Sequence, residues 1–281
     1  TSTLTTNYRL EAQRNIARLY RYLGLYHKAR SVLNTALPVA QQTGDSTDHA
    51  QLLNESSKLL MSQGTKKREQ ALQQGEQALK LAREASSPLV LVEVLNHWGS
   101  LLTAEYDYEG ALEAYREALT VLDLPASNGE IAALYGKILI NQAQTIFLVD
   151  VEEDETKQLK ASITALEKAL PAAQNEWSDT YGQVLGLIAI SQQAQKIQKR
   201  LTGTSAHTTH IAYQALITAR RLAERSGNAK AKAYANGYLG QLYEQAKRYK
   251  EALFLTRQAL FFTQQTREES FMSYLWQWQM G

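Results

Sequence analysis

Residues 96–119 read NHWGSLLTAEYDYEGALEAYREAL, and the spacing of small residues in this stretch predicts the fold. Ala111 is followed by Tyr115 four residues later and by Ala118 three residues after that, so all three lie on one face of a helix. Gly99 lies inside the preceding helical pattern, where glycine costs about 1 kcal/mol relative to alanine. Close approach of a second helix explains its presence. The stretch therefore predicts a pair of tightly packed helices.

The same pattern recurs along the whole chain with a period of about forty residues. Its second small residue is Ala36, Ala78, Ala118, Ala169, Ala219 and Ala259, which gives steps of 42, 40, 51, 50 and 40 residues. The repeats are predicted at 10–45, 50–87, 88–125, 129–176, 179–227 and 228–267, with a partial repeat at 268–281. This predicts an all-α protein, a right-handed α-α superhelix of about six helix pairs plus the first helix of a seventh.

Some repeats follow the pattern more closely than others. Gly240 and Ala17 occupy the place of Gly99 in repeats six and one, whereas repeats two, four and five are degenerate. Repeat two has Gly75 where a bulky residue is expected. The acidic segment 150–155 and the polar segment 201–210 replace tight turns, and we expect longer loops at both.

The prolines mark further details of the helices. Pro38 and Pro171 each follow an Ala-Leu pair in a second helix, so a kink or an early end is expected there. Pro88 is predicted to lie in the first turn of a helix.

The C-terminal residues 273–281, SYLWQWQMG, include large apolar side chains whose exposure to water is unfavourable. Placing Gly281 in the register of Gly99 makes this segment the first helix of a seventh repeat. Trp276 and Trp278 are then expected to form core, with their second helix beyond the sequence. On this interpretation the sequence is a fragment of a longer protein.

These positions resemble the signature of tetratricopeptide (TPR) repeats, most clearly at Trp98-Gly99, Tyr108 and Ala111 in repeat three. The forty-residue period and the closing YLWQWQMG also resemble the TPR regions of cyanobacterial-type TPR–CHAT proteins. That resemblance implies a caspase-like CHAT protease domain beyond residue 281, with a catalytic Cys and His. This chain has no Cys, so the resemblance places no catalytic residue in it.

Composition excludes several classes of function. Lys and Arg total 30 and Asp and Glu total 28, and this balance of +2 gives no general signal for nucleic acid or an anionic membrane. The absence of Cys excludes disulfides and thiol chemistry. The sequence has no long apolar run and no signal-peptide pattern, so we expect a cytoplasmic protein without a membrane span.

Few side chains suggest chemistry. His207 and His210 could bridge a metal on a helix, but their polar surroundings favour a solvated loop. The acidic segment 150–155 lacks the alternating ligands and the glycine of a calcium loop and is interpreted as a linker. No phosphate-binding glycine loop and no nucleophile motif is present. We therefore predict a protein that is not an enzyme and needs no cofactor or metal.

A helical solenoid can instead bind a partner on its concave face, which the first helices line. The TPR register predicts which side chains line that face: Glu11, Arg14, Arg18, Arg21, Glu93, Asn96, Ser100, Thr103, Lys137, Ile140, Gln144, Phe147, Tyr234, Gly237, Gln241 and Glu244. The three arginines lie on one stripe and suit a carboxylate, so an acidic protein segment or chain terminus is the expected ligand. A solvated positive face is the alternative interpretation.

The C-terminal part is unusually aromatic. The residues concerned are Phe254, Phe261, Phe262, Phe271, Tyr274, Trp276 and Trp278. They form either core between repeats or a docking surface that could promote self-association. Two functions remain open: the sensing arm of a TPR–CHAT protease that binds a partner protein or peptide, or a stand-alone TPR scaffold.

Overall fold

The computed structural model describes residues 2–122, 129–149, 155–175, 177–201, 206–266 and 271–279, and side chains from residue 5 onward within these ranges except at 271–273. The described residues form α-helices and one short 3-10 turn, with no strand among them. They divide into two compact units, Thr1–Asp123 and Leu124–Gly281.

Unit 1 consists of three helix pairs. Its helices are α1 (Ser2–Tyr22), α2 (Tyr26–Thr43), α3 (Ser46–Met61), α4 (Arg68–Glu84), α5 (Pro88–Ala104) and α6 (Tyr108–Val121). Each first helix packs against its own second helix, and α3 and α5 also pack against the second helix of the preceding pair. The first helices α1, α3 and α5 are therefore neighbours along one side of this unit.

Unit 2 repeats this arrangement with three pairs and one further helix. Its helices are α7 (Gly129–Leu148), α8 (Glu155–Gln174), α9 (Thr180–Arg200), α10 (Ala206–Ser226), α11 (Ala229–Gln245), α12 (Tyr249–Gln265) and α13 (Phe271–Gln279). Helix α13 packs against α12, as the first helix of a next pair would. The predicted all-α fold of paired helices, with a thirteenth helix after six pairs, is confirmed for the described residues.

Glycine allows the two helices of a pair to approach closely, as the sequence predicts. A Cβ atom on Gly99 would lie 2.5 Å from the ring of Tyr115 on the partner helix. On Gly240 it would lie 2.9 Å from the hydroxyl of Thr256. Gly75 serves the contact between pairs. A Cβ atom on Gly75 would lie 2.5 Å from Cδ1 of Leu101, so the missing side chain leaves room for that leucine. The glycine in repeat two, where a bulky residue was expected, is therefore explained by packing between pairs.

The turn between the paired helices has the same form in repeats one, three and six. Gly24, Tyr106 and Lys247 all adopt left-handed backbone conformations, with φ of 70°, 66° and 58°. In each turn the next backbone N–H donates to a carbonyl five residues earlier, as Asp107 does to Leu102. This helix C-terminal motif satisfies carbonyl groups that the helix leaves without partners.

Several details differ from the sequence prediction. Helix α1 begins at Ser2, eight residues before the predicted start of repeat one. Pro88 begins α5 as expected, but Pro38 and Pro171 do not end their helices, which continue to Thr43 and Gln174. Both prolines are exposed, so water can solvate the carbonyl that loses its hydrogen bond.

Two predicted loops lie largely outside the described residues, namely 150–154 and 202–205. The described part of the second segment corrects the prediction for His207 and His210, because both belong to helix α10.

The C-terminal aromatic residues divide between core and surface. Trp276 is fully buried and packs on Gly237 of α11, where a Cβ atom would lie 2.4 Å from the indole ring. Trp278 is 82% exposed, so its predicted packing against a following second helix stays a prediction. Phe254, Phe261 and Tyr274 are also exposed.

Candidate partner-binding face

The candidate site lies on the first helices of unit 1, where charged side chains of α1, α3 and α5 come together. We call this set the charged face. It consists of Arg14, Arg18, Arg21, Asp48, Glu55, Lys58, Glu93 and His97. The helices are placed side by side by their contacts with one another and with their second helices. The polar groups are thus held by an apolar scaffold.

Glu55 is the central acid of the charged face. It lies on α3 among leucines and is only 2% exposed. Its Oε1 accepts a hydrogen bond of 2.6 Å from Nε of Arg21, and its Oε2 lies 3.7 Å from Nε of Arg18. Burial opposes the charge on Arg21, but the hydrogen bond and charge of Glu55 outweigh it and raise the pKa of Arg21. Arg21 is therefore bound internally and is not a solvated cation.

Lys58 and His97 extend the charged face along α3 and α5. Burial lowers the pKa of Lys58, although the charges of Glu93 and Glu55 oppose this. Burial also holds the pKa of His97 well below its usual range, and the positive charges of Lys58 and Arg21 add to the effect. His97 is therefore neutral at pH 7.

A hydrogen-bond chain fixes the orientation of His97. The hydroxyl of Ser57 donates to the backbone carbonyl of Ala71 at 2.7 Å, so its single proton is used there. Nε2 of His97 lies 2.9 Å from the same oxygen and must donate to it. This links α3 to both α4 and α5.

Arg14 borders a cavity of about 350 Å³ between α1 and α3. The cavity is lined by Asn7, Tyr8, Glu11, Arg14, Asp48 and Gln51. Nε of Arg14 and Oδ2 of Asp48 are buried without a hydrogen-bond partner. Burial lowers the pKa of Arg14, while burial and the nearby charge of Asp45 raise the pKa of Asp48. Both groups would gain from a polar ligand in the cavity.

The other predicted residues of unit 1 lie further along α5. Asn96 and Ser100 are half-buried, and the hydroxyl of Ser100 donates to the backbone carbonyl of Asn96 at 3.0 Å. The same hydroxyl lies 3.4 Å from that of Tyr115.

The predicted residues of unit 2 have more varied surroundings. Gln144 and Gln241 are half-buried and Glu244 is exposed. Phe147 lies beneath the guanidinium of Arg200, 4.2 Å from the ring centre. Tyr234 packs against the cluster around Trp276. The prediction that Ile140 and Gly237 point outward is wrong, because Ile140 is buried and Gly237 is covered by Trp276.

The most buried acid of the site, Glu55, escaped sequence analysis, as did its neighbour Lys58. Both belong to α3 in repeat two, whose degenerate pattern gave no register for groove positions. A signal was nevertheless present, because residues 52–60, LLNESSKLL, place an acid and a base within an otherwise buried helix. A charge at a buried helical position is rarely tolerated without a partner.

A second cavity of about 430 Å³ lies in unit 2, between α9, α10 and the end of α11. Its walls include Tyr213, Leu242, Tyr243 and the cations Lys199 and Arg248. None of the predicted groove residues lines it.

The structure gives no support to metal chemistry at the histidines. Nε2 of His207 lies 2.7 Å from a carboxylate oxygen of Glu167, so this nitrogen already makes a hydrogen bond within the protein. In the described part of the chain, no group of three or more histidine and acidic side chains is placed to hold a metal ion. Within the same ranges, no helix has both the length and the apolar character needed to cross a bilayer.

Comparisons with known proteins bear on the fold. Neither the models of protein families nor the curated protein sequences give a match to this chain. Among solved structures, the apo form of RapI is similar with a TM-score of 0.64 at 12% identity, over 96% of this chain and 69% of that one. TPR-like repeats assigned to a kinesin light chain of Podosopora anserina match with a TM-score of 0.52 at 13% identity, over 76% of this chain and 97% of theirs.

A third similar structure is part of a much larger protein. It is a signal transduction ATPase with numerous domains and a tetratricopeptide repeat sensor, from Pyrococcus horikoshii. The TM-score is 0.55 at 16% identity, over 92% of this chain and only 37% of that one. At these identities the likeness establishes a TPR-like fold of stacked helix pairs and nothing about ligands.

Proposed function

We propose that this protein is a non-catalytic scaffold that binds a partner protein or peptide on the charged face of unit 1. The observation that carries the proposal is the group of cations on α1. Arg14 has a buried Nε without a hydrogen-bond partner beside a cavity, and the side chain of Arg18 is 35% exposed. An acidic segment of a partner would supply the carboxylates that arginine forks bind.

The acids of the charged face shape this proposal. Asp48, Glu55 and Glu93 lie near its four cations, and Glu11 lies beside Arg14, so the face does not form a uniformly positive surface. Affinity for an acidic partner would then depend on position as well as charge. Such an arrangement favours specificity over strength of binding.

A charge reversal tests the binding face. The probe is a fluorescent hexaglutamate peptide, with hexaglutamine as the uncharged control, and binding is measured by fluorescence polarisation. Arg14→Glu with Arg18→Glu should weaken hexaglutamate binding by at least about tenfold, since each lost charge pair is worth on the order of 1 kcal/mol or more at a partly buried site. The milder pair Arg14→Gln with Arg18→Gln should weaken it less.

A matched control separates position from net charge. Arg9 lies about 180° around α1 from Arg18 at 100° per residue, and Arg116 is exposed on α6. Arg9→Glu with Arg116→Glu changes the net charge equally and should keep most of the binding. Equal loss in both double variants, with native circular dichroism, would assign binding to net charge and reject the charged face.

We further propose that the scaffold is the sensing arm of a larger TPR–CHAT protein, in which partner binding alters an appended protease. The supporting observations are the repeat period and the C-terminal motif, together with a TPR-like fold that also occurs as part of a larger signalling protein. A stand-alone adaptor is the alternative function. A reading frame that continues from Gly281 into a domain with a Cys and a His would support the first, and an early stop codon would support the second.

A further inference from the structure

Glu55 occupies the place on the charged face where a carboxylate of the partner would be expected. It is almost completely buried, and the guanidinium groups of Arg18 and Arg21 both approach it from α1. Its own helix offers no reason for an acid there, because the flanking positions of α3 are buried apolar or small polar residues. The arginine stripe of α1 thus already holds one carboxylate, supplied by the protein itself.

The bonding of Glu55 is incomplete. Oε1 accepts from Arg21, but Oε2 is buried and has no hydrogen-bond partner, since Nε of Arg18 is 3.7 Å away. A buried charged oxygen without a hydrogen bond costs free energy that a purely structural ion pair would avoid. Arg18 lies next to this oxygen without a hydrogen bond to it, and its side chain is 35% exposed to solvent.

We propose that Glu55 is a built-in competitor of the partner's carboxylate, which limits the affinity of the charged face for acidic segments. This inference rests on the proposed function. A ligand carboxylate that reaches Arg18 would lie close to the charge of Glu55, and like charges brought together at an interface weaken binding. Only a partner that adds further contacts along α1 and α5 would overcome this cost, so Glu55 acts as a specificity determinant.

Glu55→Gln separates this role from a structural one. Glutamine has the same shape and keeps an oxygen that can accept the hydrogen bond from Arg21, but it carries no charge. If Glu55 competes with the ligand, the variant binds acidic peptides more tightly. If Glu55 only ties α1 to α3, the variant loses stability and gains no affinity.

The experiment measures hexaglutamate binding by fluorescence polarisation with the full chain. Glu55→Gln should lower the Kd for hexaglutamate about tenfold, because the repulsion between like charges at the interface is removed. Added salt should weaken hexaglutamate binding more steeply for this variant than for the wild type. The control is Glu113→Gln, which removes an exposed acid of α6 and should change the Kd less than about twofold, as expected for a distant screened charge.

The outcomes distinguish this inference from the proposed function. Wild-type binding that depends on Arg14 and Arg18 but is unchanged by Glu55→Gln overturns the inference and leaves the proposed function standing. Equal tightening in Glu113→Gln also overturns it, because net charge would then be the cause. If Glu55→Gln does not fold, Glu55→Met also removes the charge but gives up the hydrogen bond from Arg21. Failure of both variants to fold would show an essential ion pair and reject the competitor role.

Discussion

The two units join their neighbouring first helices by different means. In unit 1 buried polar links add to the apolar packing, with Arg21 bound to Glu55 between α1 and α3, and Ser57 bound to His97 between α3 and α5. In unit 2 the first helices α7 and α9 are linked by a tryptophan side chain that packs against a glycine on each of them. The indole of Trp177 would lie 2.9 Å from a Cβ atom on Gly136 of α7, and equally close to one on Gly186 of α9.

The same device occurs again in unit 2, where Trp276 of α13 lies against Gly237 of α11. Apolar shape complementarity of this kind contributes stability that does not depend on the titration of a side chain, because the indole and the glycine backbone carry no ionisable group. The polar links of unit 1 contribute less net stability, since burying charged groups offsets much of their attraction. Next to these links, the side chain of Arg18 remains 35% exposed, and it is the group that the proposed function assigns to a ligand.

The largest effect is expected from Trp177→Ala. This side chain is buried, its Nε1 donates to the carbonyl of Ala172 at 2.8 Å, and the two facing glycines cannot fill the space it would leave. Removal of a buried tryptophan costs about 3–5 kcal/mol. Urea unfolding followed by circular dichroism should show this loss of stability.

The control for that substitution is Trp278→Ala, because Trp278 is largely exposed on α13. Its loss should change the free energy of unfolding by less than about 0.5 kcal/mol. Similar effects of the two variants would contradict the role given to the tryptophan–glycine contacts.

A smaller effect that depends on pH is expected from His97 in unit 1. Burial keeps its pKa well below the usual value, so the folded protein leaves His97 neutral near pH 6 while the unfolded chain takes up a proton. The wild type should therefore lose stability as the pH falls below about 6.5, by at most about 1.4 kcal/mol per pH unit for this group. His97→Gln, which can still donate to Ser57, should flatten this dependence.

Two other histidines have to be distinguished from His97 when the pH dependence of stability is measured. Burial lowers the pKa of His49 as well, so some dependence of the same sign should remain in the His97 variant. The exposed His27 provides a control for the loss of a histidine as such, and His27→Gln is measured beside His97→Gln. Urea titrations at pH 7.5, 6.5 and 5.5 measure the slopes, and an equal slope in wild type and His97→Gln would show that His97 does not titrate on unfolding.

The sequence predicts the helix pairs well because their contacts are periodic. Gly99 and Tyr115 are 16 residues apart and meet in the same way as Gly240 and Thr256, so one spacing reveals both. Trp177 could not be predicted in this way. It lies between helices, and its glycine partners stand 41 and 9 residues away without any repeated spacing.

The candidate site was predicted in part, on α1 and at Glu93 of α5, but not on α3. The spacing of Arg14, Arg18 and Arg21 places them on one stripe of α1, but a helical pattern cannot show which residue of another helix faces that stripe. Glu55 faces it from α3, and this turns Arg21 from a candidate ligand group into the partner of an internal acid. Electrostatic pairing between helices is a property of the packed structure.

The smallest effect is expected from Arg83→Gln, which tests whether polar links in unit 1 matter only where they are buried. Arg83 on α4 lies 2.9 Å from a carboxylate oxygen of Glu117 on α6, but its side chain is 56% exposed. Exposed ion pairs contribute between about 0 and 1 kcal/mol and weaken with salt. In low salt, the free energy of unfolding of the variant should therefore lie within about 0.5 kcal/mol of the wild-type value, a usual range for surface substitutions. In 1 M NaCl the two values should be indistinguishable, because charges are screened within about 3 Å. A loss that persists in high salt would mean that this pair acts through packing, and the contrast between buried and exposed polar links in unit 1 would no longer hold.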